Sequence, residues 1–528
     1  MSPEAVNPQP TIQHRIQELL QPNLYGREVK RVRLIQTHTS WVFLAGGFAY
    51  KVKKPVNFGF LDYTTLSARK FFCDEEVRLN RLLSPDLYLG VVPIVEKGGR
   101  LQFSEDGRVI DYAVKMRALP QRAIMTERLK RGEVSFRQID EIARRVAEFH
   151  RQAERGKQVA QYGSSEIIGL NWDENFAQAL NFRGKTISYR MFDEIKQRVE
   201  GFILRYREVF RSRREGGFVR RCHGDLHSKN IFLTDRVYIF DCIEFNPRFS
   251  CCDVASEVAF MAMDLDYFER HDLANFFLER YQNYSNDTGF LKLLNFYRCY
   301  RAYVRGKVIS FQLNDATINQ AEKQSAAVTA RRYFRLSARY ARLMEEKNWL
   351  LVLFGLPGVG KSYLAKRFAA RKLAVHLLSD SIRKQLLGIP VDKRRFEGYG
   401  KGIYTADISQ RTYEELLTRA EIFLESKQNV ILDATFVSPK IRNRCRELAN
   451  RMNVPVLFVW ANCPEKTVVR HLRRRAQESG FSDANLEVYR RMKVSFPPPE
   501  RTPDLIAVDT RVPAVKLFKK IERALLRF

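Results

Sequence analysis

Leu350-Leu351-Val352-Leu353-Phe354-Gly355-Leu356-Pro357-Gly358-Val359-Gly360-Lys361-Ser362 is an apolar run of strand length that ends in the pattern GxxxxGK[ST]. A helical segment, Tyr363 to Ala370, follows it. Strand, glycine loop and helix in that order make a phosphate cradle. Backbone N–H groups of the loop and of the helix N-terminus hold the phosphates, the lysine reaches the β/γ oxygens, and the hydroxyl reaches Mg²⁺. Gly355, Gly358, Gly360, Lys361, Ser362 and Tyr363 are the expected nucleotide-binding set, with Ser362 also on the metal.

Further apolar runs at Ala374–Leu378, Asn429–Leu432 and Val454–Val459 alternate with helical segments. That texture predicts a parallel α/β sheet with helices on both faces. Asp433 ends one of these strands, the usual place for a second carboxylate beside the metal; the alternative is a helix cap or turn residue. Asp380 ends another and faces the ligand crevice of such a sheet, where it can take the proton of an acceptor hydroxyl while Arg383 clamps an anionic substrate. Asp380 can equally cap the helix that follows. The basic run Arg470-His471-Leu472-Arg473-Arg474-Arg475 reads as a lid closing on the transferring phosphate or, for most of its residues, as a solvated face. Together these residues resemble the small P-loop kinases of the gluconate kinase, nucleotide kinase, polynucleotide kinase and zeta-toxin group, over about 349–510. The resemblance implies that Lys361 and Ser362 bind ATP (or GTP) and Mg²⁺, that Asp380 is the general base, and that Arg475 is the best-placed lid arginine.

The other half carries His223-Gly224-Asp225-Leu226-His227-Ser228-Lys229-Asn230, followed by Asp241. Asp225 to Asn230 keeps the Asp-to-Asn spacing of the H-R-D-x-x-x-x-N catalytic loop. An Asp there can deprotonate an acceptor hydroxyl, the Asn offers a neutral oxygen to Mg²⁺, and an Asp after a short hairpin supplies the anionic metal ligand. Asn230 and Asp241 are therefore the expected metal ligands and Asp225 the expected base. The pattern resembles the aminoglycoside phosphotransferase and choline kinase group, which share the protein-kinase fold, over roughly 30–330. On that resemblance Phe48-Ala49-Tyr50-Lys51 sits like V-A-I-K, which makes Lys51 the first candidate for the phosphate-binding lysine and Lys53 the runner-up. Glu76 is the expected ion-pair partner, with Glu75 close behind. No GxGxxG separates the first two strands; the turn is Thr37-His38-Thr39-Ser40, and Ser40 is the candidate to replace the glycine contacts. Asp253 matches the group's Asp after the metal ligand and reads as a structural brace. Arg298, Arg301 and Arg305, interleaved with Tyr297, Tyr300 and Tyr303, form a stripe that suits either an anionic acceptor or, on the preferred reading, a solvated or core-edge helix face.

Short β-type runs at Val32–Gln36, Trp41–Leu44, Phe48–Val52, Val91–Val95 and Val109–Met116, with a helix from Thr65 to Leu83, predict an α+β N-lobe; Pro93 marks the fourth run as an edge strand. The chain thus reads as a bilobal protein-kinase-like domain at 1–345 (N-lobe about 25–117, C-lobe about 118–345) followed by a P-loop domain at 346–528. It is similar to fusions of these two modules found among uncharacterised bacterial proteins. A length of 528 residues suits two or three domains. No apolar run approaches the ~20 residues of a membrane span, the N-terminus lacks a signal-peptide pattern, and the eight cysteines form no CxxC pair. A cytoplasmic protein without membrane partners or structural zinc is expected. The formal net charge of +30, spread over both halves, favours an anionic partner: nucleotide, an anionic hydroxyl-bearing acceptor, or nucleic acid. The expected activity is transfer of the γ-phosphoryl of ATP or GTP to a hydroxyl at both sites. The alternatives are a nucleic-acid 5′-hydroxyl kinase in the second half, or one half acting as a nucleotide-sensing regulator of the other.

Overall fold

Period-two alternation and two glycine pairs shape the sheet of the first unit. In the computed structural model, which describes residues 12–391, 393, 402–477, 486–494, 496 and 498–527 (side chains of 475–477 excepted), six antiparallel strands form one sheet. They are β1 (Val32–Gln36), β2 (Ser40–Ala45), β3 (Phe48–Lys53), β4 (Tyr88–Lys97), β5 (Arg100–Phe103) and β6 (Arg108–Arg117), in the order β1-β2-β3-β6-β4-β5. Gly46-Gly47 turns β2 into β3, as expected, with Ala45 opposite Phe48. Gly98-Gly99 does the same for β4 and β5, with Lys97 opposite Arg100; both glycines take positive φ. The strand with Pro93 is not an edge strand: β4 pairs with β6 on one side and β5 on the other. The β5 ladder covers only Ile94–Lys97, so at Pro93 one side has no strand neighbour, a position that tolerates the missing N–H.

The helix Leu66–Arg81 starts at Thr65, whose hydroxyl accepts from Ala68 N at 3.1 Å. Its buried face carries Cys73, Glu76, Val77, Leu79 and Asn80. Beyond it come four short strands, β7 (Val219–Arg221), β8 (Ile231–Leu233), β9 (Val237–Ile239) and β10 (Cys251–Asp253), paired β7 with β10 and β8 with β9. Asp253 binds Arg213 through both oxygens, at 2.6 and 2.7 Å, and caps Ala255 N at 2.8 Å. Since Asp253 lies opposite Val219, this pair braces the strand that leads into the His223 loop.

The described residues form two compact units. One contains Met1–Val134, Glu141–Glu174 and Arg205–Asp264; the other contains Ser135–Asp140, Asn175–Leu204 and Leu265–Phe528. The second holds a parallel sheet of β11 (Leu350–Phe354), β12 (Val375–Leu378), β13 (Val430–Asp433), β14 (Val456–Asn462) and β15 (Leu505–Asp509), in the order β12-β13-β11-β14-β15. All five residues of β11 are buried, as a central parallel strand requires. Within this unit the long helix Gln320–Leu343 opens on a capping box of Asn319 and Glu322. The helix His271–Ser285 meets the start of β12, where Ala374 O accepts from His271 Nε2 at 2.8 Å and Asn275 Nδ2 at 3.3 Å. Of the arginine stripe, Arg298 and Arg301 are buried and Arg305 is half-buried, which suits the core-edge reading, and Arg298 lies 3.8 Å from Asp266 and over the Tyr340 ring. No helix of the described residues is long and apolar enough to cross a membrane.

Arg213 and Asp253 are both about 95% buried, so removing the carboxylate takes the bidentate partner from a buried guanidinium. Asp253→Ala is expected to destabilise its unit by about 3–5 kcal/mol, read as a lowered denaturant midpoint.

Candidate functional sites

In the first unit the sheet, the helix and the segment after β9 meet at a buried charge network. Glu76 is 0% exposed and accepts from Lys51 Nζ through Oε1 at 2.8 Å and from Lys53 Nζ through Oε2 at 2.7 Å. Lys51 also bonds Asp241 Oδ1 at 2.7 Å. Lys53 instead turns to Glu244, which Tyr63 also bonds at 2.6 Å. Both lysines lie on β3 two residues apart, on one face, and only Lys51 reaches Asp241. Glu75 is not in the network; it pairs with Arg78 and Arg221. Burial works to raise the Glu76 pKa, but the two ammonium groups overturn it and hold the carboxyl well below the usual range. For Lys51, burial works to lower the pKa, and Asp241 and Glu76 instead leave it well above the ordinary lysine value.

The His223 loop is shaped by a glycine and a glutamate. Gly224 has φ +86, and a Cβ there would sit 2.9 Å from Phe249 O. Buried Glu257 accepts from His223 N at 3.1 Å, Gly224 N at 2.8 Å and His150 Nε2 at 2.8 Å. His150, Cys222 and Glu257 are the one group of metal-ligand side chains clustered within 4.8 Å among the described residues, and those three donors already occupy the carboxylate. Asp225 is held through Oδ2, which accepts from His227 Nε2 at 3.2 Å and Asn230 Nδ2 at 3.0 Å. His227 Nδ1 accepts from Lys229 N at 3.2 Å, so the ring proton sits on Nε2 and points at Asp225. With its NH₂ committed to Asp225, Asn230 keeps its amide oxygen for a cation. Asp241 adopts φ +68, a left-handed conformation uncommon outside glycine, while its side chain stays 46% exposed. Ser40, by contrast, is buried, and the groups the Thr37–Ser40 turn exposes belong to Thr37 and His38. Thr37 Oγ1 organises that turn, accepting from Ser40 N at 2.9 Å.

In the second unit the loop Gly355–Ser362 joins β11 to the helix Lys361–Lys372. Gly355, Gly358 and Gly360 have φ +140, +80 and +94. A Cβ on Gly355 would meet Ala461 O at 2.3 Å, and one on Gly358 would meet Val468 Cγ1 at 2.8 Å. Two loop carbonyls are tied back: Gly358 O accepts from His471 Nδ1 at 3.0 Å and Val359 O from Thr510 Oγ1 at 2.5 Å. Lys361 is buried and donates to Leu356 O at 3.0 Å. Asp433, opposite Leu353 of β11, is 1% exposed. Its Oδ2 lies 3.1 Å from His376 Nε2, and its Oδ1 is buried with no hydrogen-bond partner. The glycine cradle and this orphaned oxygen fit a phosphate chain with its cation. Asp380 opens the helix Ser379–Leu386 and pairs with Arg383 at 2.9 Å; the Arg383 guanidinium lies over the Tyr404 ring. The Tyr363 side chain is 59% exposed and packs on Arg367. Arg470, Arg473 and Arg474 are exposed on the helix Glu465–Gln477, and the side chain of Arg475 lies outside the described residues.

A family described as an AAA domain matches residues 350–499, which begin at β11 and contain the glycine loop and Asp433. Uncharacterised proteins of Mycobacterium tuberculosis and Mycobacterium bovis are 30% identical over 454 residues, 86% of this chain and 88% of theirs. The chain belongs to the family of these mycobacterial proteins. Solved structures similar to this family member include a gluconokinase from Sinorhizobium meliloti (18% identity, 35% of this chain and 94% of that one, TM-score 0.26). A choline/ethanolamine kinase family protein from Mesorhizobium loti is similar at 13% identity, over 63% of this chain and 99% of that one, with a TM-score of 0.37. The strand orders of the family member itself give the two expected fold classes, an antiparallel sheet with helices in one unit and a parallel α/β sheet entered by a glycine loop in the other.

Four contributors escaped the motif reading, Glu244, Glu257, His376 and Thr510, while His471 of the basic run ties the loop at Gly358 O. Only their contacts across the fold reveal them. Because its folded pKa is depressed, Glu76 adds stability above its unfolded value that is lost as pH falls through the folded one. Glu76→Gln is expected to be less stable than the wild type near neutrality, with the gap closing as pH falls from 4.5 toward about 2, measured by denaturant midpoints across that range.

Proposed function

We propose that the chain is a two-site ATP-dependent phosphotransferase, with one site carried by residues 1–345 and the other by 346–528. Each site transfers the γ-phosphoryl group of ATP or GTP to a hydroxyl of a small acceptor. The observation that supports this reading best is that each unit holds its own lysine and its own fixed carboxylate: Lys51 between Glu76 and Asp241 in one, and in the other Lys361 in the glycine loop that leaves β11, the strand paired with the one ending at Asp433.

In the first unit Lys51 binds nucleotide phosphate, and Glu76 keeps the lysine charged and aimed. Asp225 accepts the acceptor's proton as the acceptor oxygen forms its bond to the γ-phosphorus and the bond to the ADP oxygen breaks. His227 and Asn230 hold the carboxylate for that task. In the second unit the backbone amides of Gly355–Ser362 and Lys361 bind the phosphates. Asp380 is the proposed base, with Arg383 holding it and an anionic acceptor group, and Arg475 the proposed lid arginine. Asn230 and Asp241 would hold Mg²⁺ in one unit, Ser362 and Asp433 in the other. Magnesium, when bound, neutralises charge on the transferring phosphate. Positioning and charge neutralisation supply most of the rate in such reactions.

Screening hydroxylated metabolites, sugars and aminoglycosides with γ-labelled ATP tests the reading. Asp225→Asn should lower phosphorylation of one acceptor by about 10²–10⁴-fold and spare the other, and Lys361→Ala should do the reverse. If one substitution abolishes all turnover and the other leaves it intact, one half is a regulator and the two-enzyme reading is wrong.

A second reading, phosphorylation of a nucleic-acid 5′-hydroxyl by the P-loop unit, has one observation in its favour. An open cleft of about 550 Å³ is lined by Lys516, Lys519, Lys520, Arg523 and Arg527. Under this reading oligonucleotide affinity falls steeply as salt rises from 50 to 200 mM. Absence of binding at low salt removes it.

A further inference from the structure

We propose that His376 is a positioning residue that turns one oxygen of Asp433 toward a divalent cation, an assignment that rests on reading Asp433 as the metal carboxylate of the P-loop unit. Asp433 ends an apolar run in the sequence, whereas His376 carries no local signal there. The parallel register brings them together. His376 lies opposite Ile431 and Leu378 opposite Asp433, so His376 and Asp433 project from the same face of neighbouring strands, two residues apart along the sheet. His376 is half-buried there, and its Nε2 lies 3.1 Å from Asp433 Oδ2.

The other oxygen carries the inference. Asp433 Oδ1 is buried without a hydrogen-bond partner, in a residue only 1% exposed. The other buried carboxylates of this chain show how unusual that is. Glu76 receives a lysine on each oxygen. Glu257 receives donors on both, from Gly224 N on Oε1 and from His150 and His223 N on Oε2. Asp253 receives the two arms of Arg213. A buried carboxylate oxygen left without a donor has lost its hydration with nothing in exchange, and such groups call for an explanation. A cation at Oδ1 supplies one, and the place fits. Asp433 lies opposite Leu353, Ala434 N bonds Leu353 O at 3.4 Å, and Gly355 N bonds Thr435 O at 3.3 Å. The orphaned oxygen therefore belongs to the sheet edge from which the phosphate loop departs.

A histidine suits the task. It fixes Oδ2 with one N–H, restricts rotation of the carboxylate, and leaves Oδ1 as the single ligating atom. A lysine or arginine in its place would put a permanent positive charge beside the cation. Partners of this kind typically change metal affinity by about 10–100-fold when removed.

The test measures cation binding rather than turnover. Mn²⁺ is titrated into the full chain with β,γ-imido-ATP and followed by electron paramagnetic resonance, in an Asp241→Asn background that removes the proposed metal carboxylate of the other unit. His376→Leu should weaken the Mn²⁺ affinity by about 10–100-fold. His376→Gln, whose amide N–H reaches a similar point, should recover most of it. Asp433→Asn, run alongside, should remove the same binding component. If Asp433→Asn leaves Mn²⁺ binding unchanged, the metal reading of Asp433 fails and takes the inference with it. If Asp433→Asn weakens binding while His376→Leu does not, or if Gln does no better than Leu, the positioning role alone is overturned. Circular dichroism of each variant separates these outcomes from misfolding.

Discussion

A fully buried glutamate that receives two lysines is the constraint around which the first unit is organised. Desolvating Glu76 alone would be prohibitive, so the carboxylate needs Lys51 and Lys53 together. That requirement fixes β3 against the helix Leu66–Arg81. Through Lys51 it fixes Asp241, and through Lys53 it fixes Glu244. Three segments far apart in sequence are thereby held by one connected network. A network of this kind stabilises less than its contacts suggest, because desolvation offsets most of the attraction. What it provides is position: one lysine is committed to holding the glutamate and Glu244, and the other stands between the glutamate and the exposed Asp241 carboxylate.

The two units share a second device. In each, a histidine meets one oxygen of a functional-candidate aspartate: His227 Nε2 at Asp225 Oδ2 and His376 Nε2 at Asp433 Oδ2. The surroundings differ. Asp225 is 37% exposed, as a group that must meet an outside hydroxyl should be. Asp433 is 1% exposed, which suits a ligand to a small cation better than a proton acceptor. Burial thus separates the proposed base from the proposed metal carboxylate, although both are aspartates met by a histidine at one oxygen.

Much of this was legible in the sequence because local rules sufficed. The glycine loop needs positive φ at Gly355, Gly358 and Gly360, so its pattern specifies its conformation. The Gly46-Gly47 turn fixes the β2–β3 register, and that register puts Lys51 and Lys53 on one face. The choice between them was not legible, because both reach Glu76 and only Lys51 reaches Asp241. β7 and β10 are three residues long, too short for periodicity to reveal. Arg298 read as part of a solvated or core-edge helix face, and it sits beside Asp266 in the core, a long-range pairing that no local pattern announces. Ser40 was the expected substitute for a glycine-rich loop, but the pleat of β2 turns it inward. Pro93 failed as an edge marker because the neighbouring strand β5 is too short to reach it.

The central claim is that one chain carries two independent nucleotide sites. Isothermal titration of the full chain with β,γ-imido-ATP and Mg²⁺ tests it most directly. Two nucleotides per chain are predicted for the wild type, falling to one in Lys361→Ala and to one in Lys51→Ala. A single nucleotide per wild-type chain, lost on changing only one of those lysines, would contradict it.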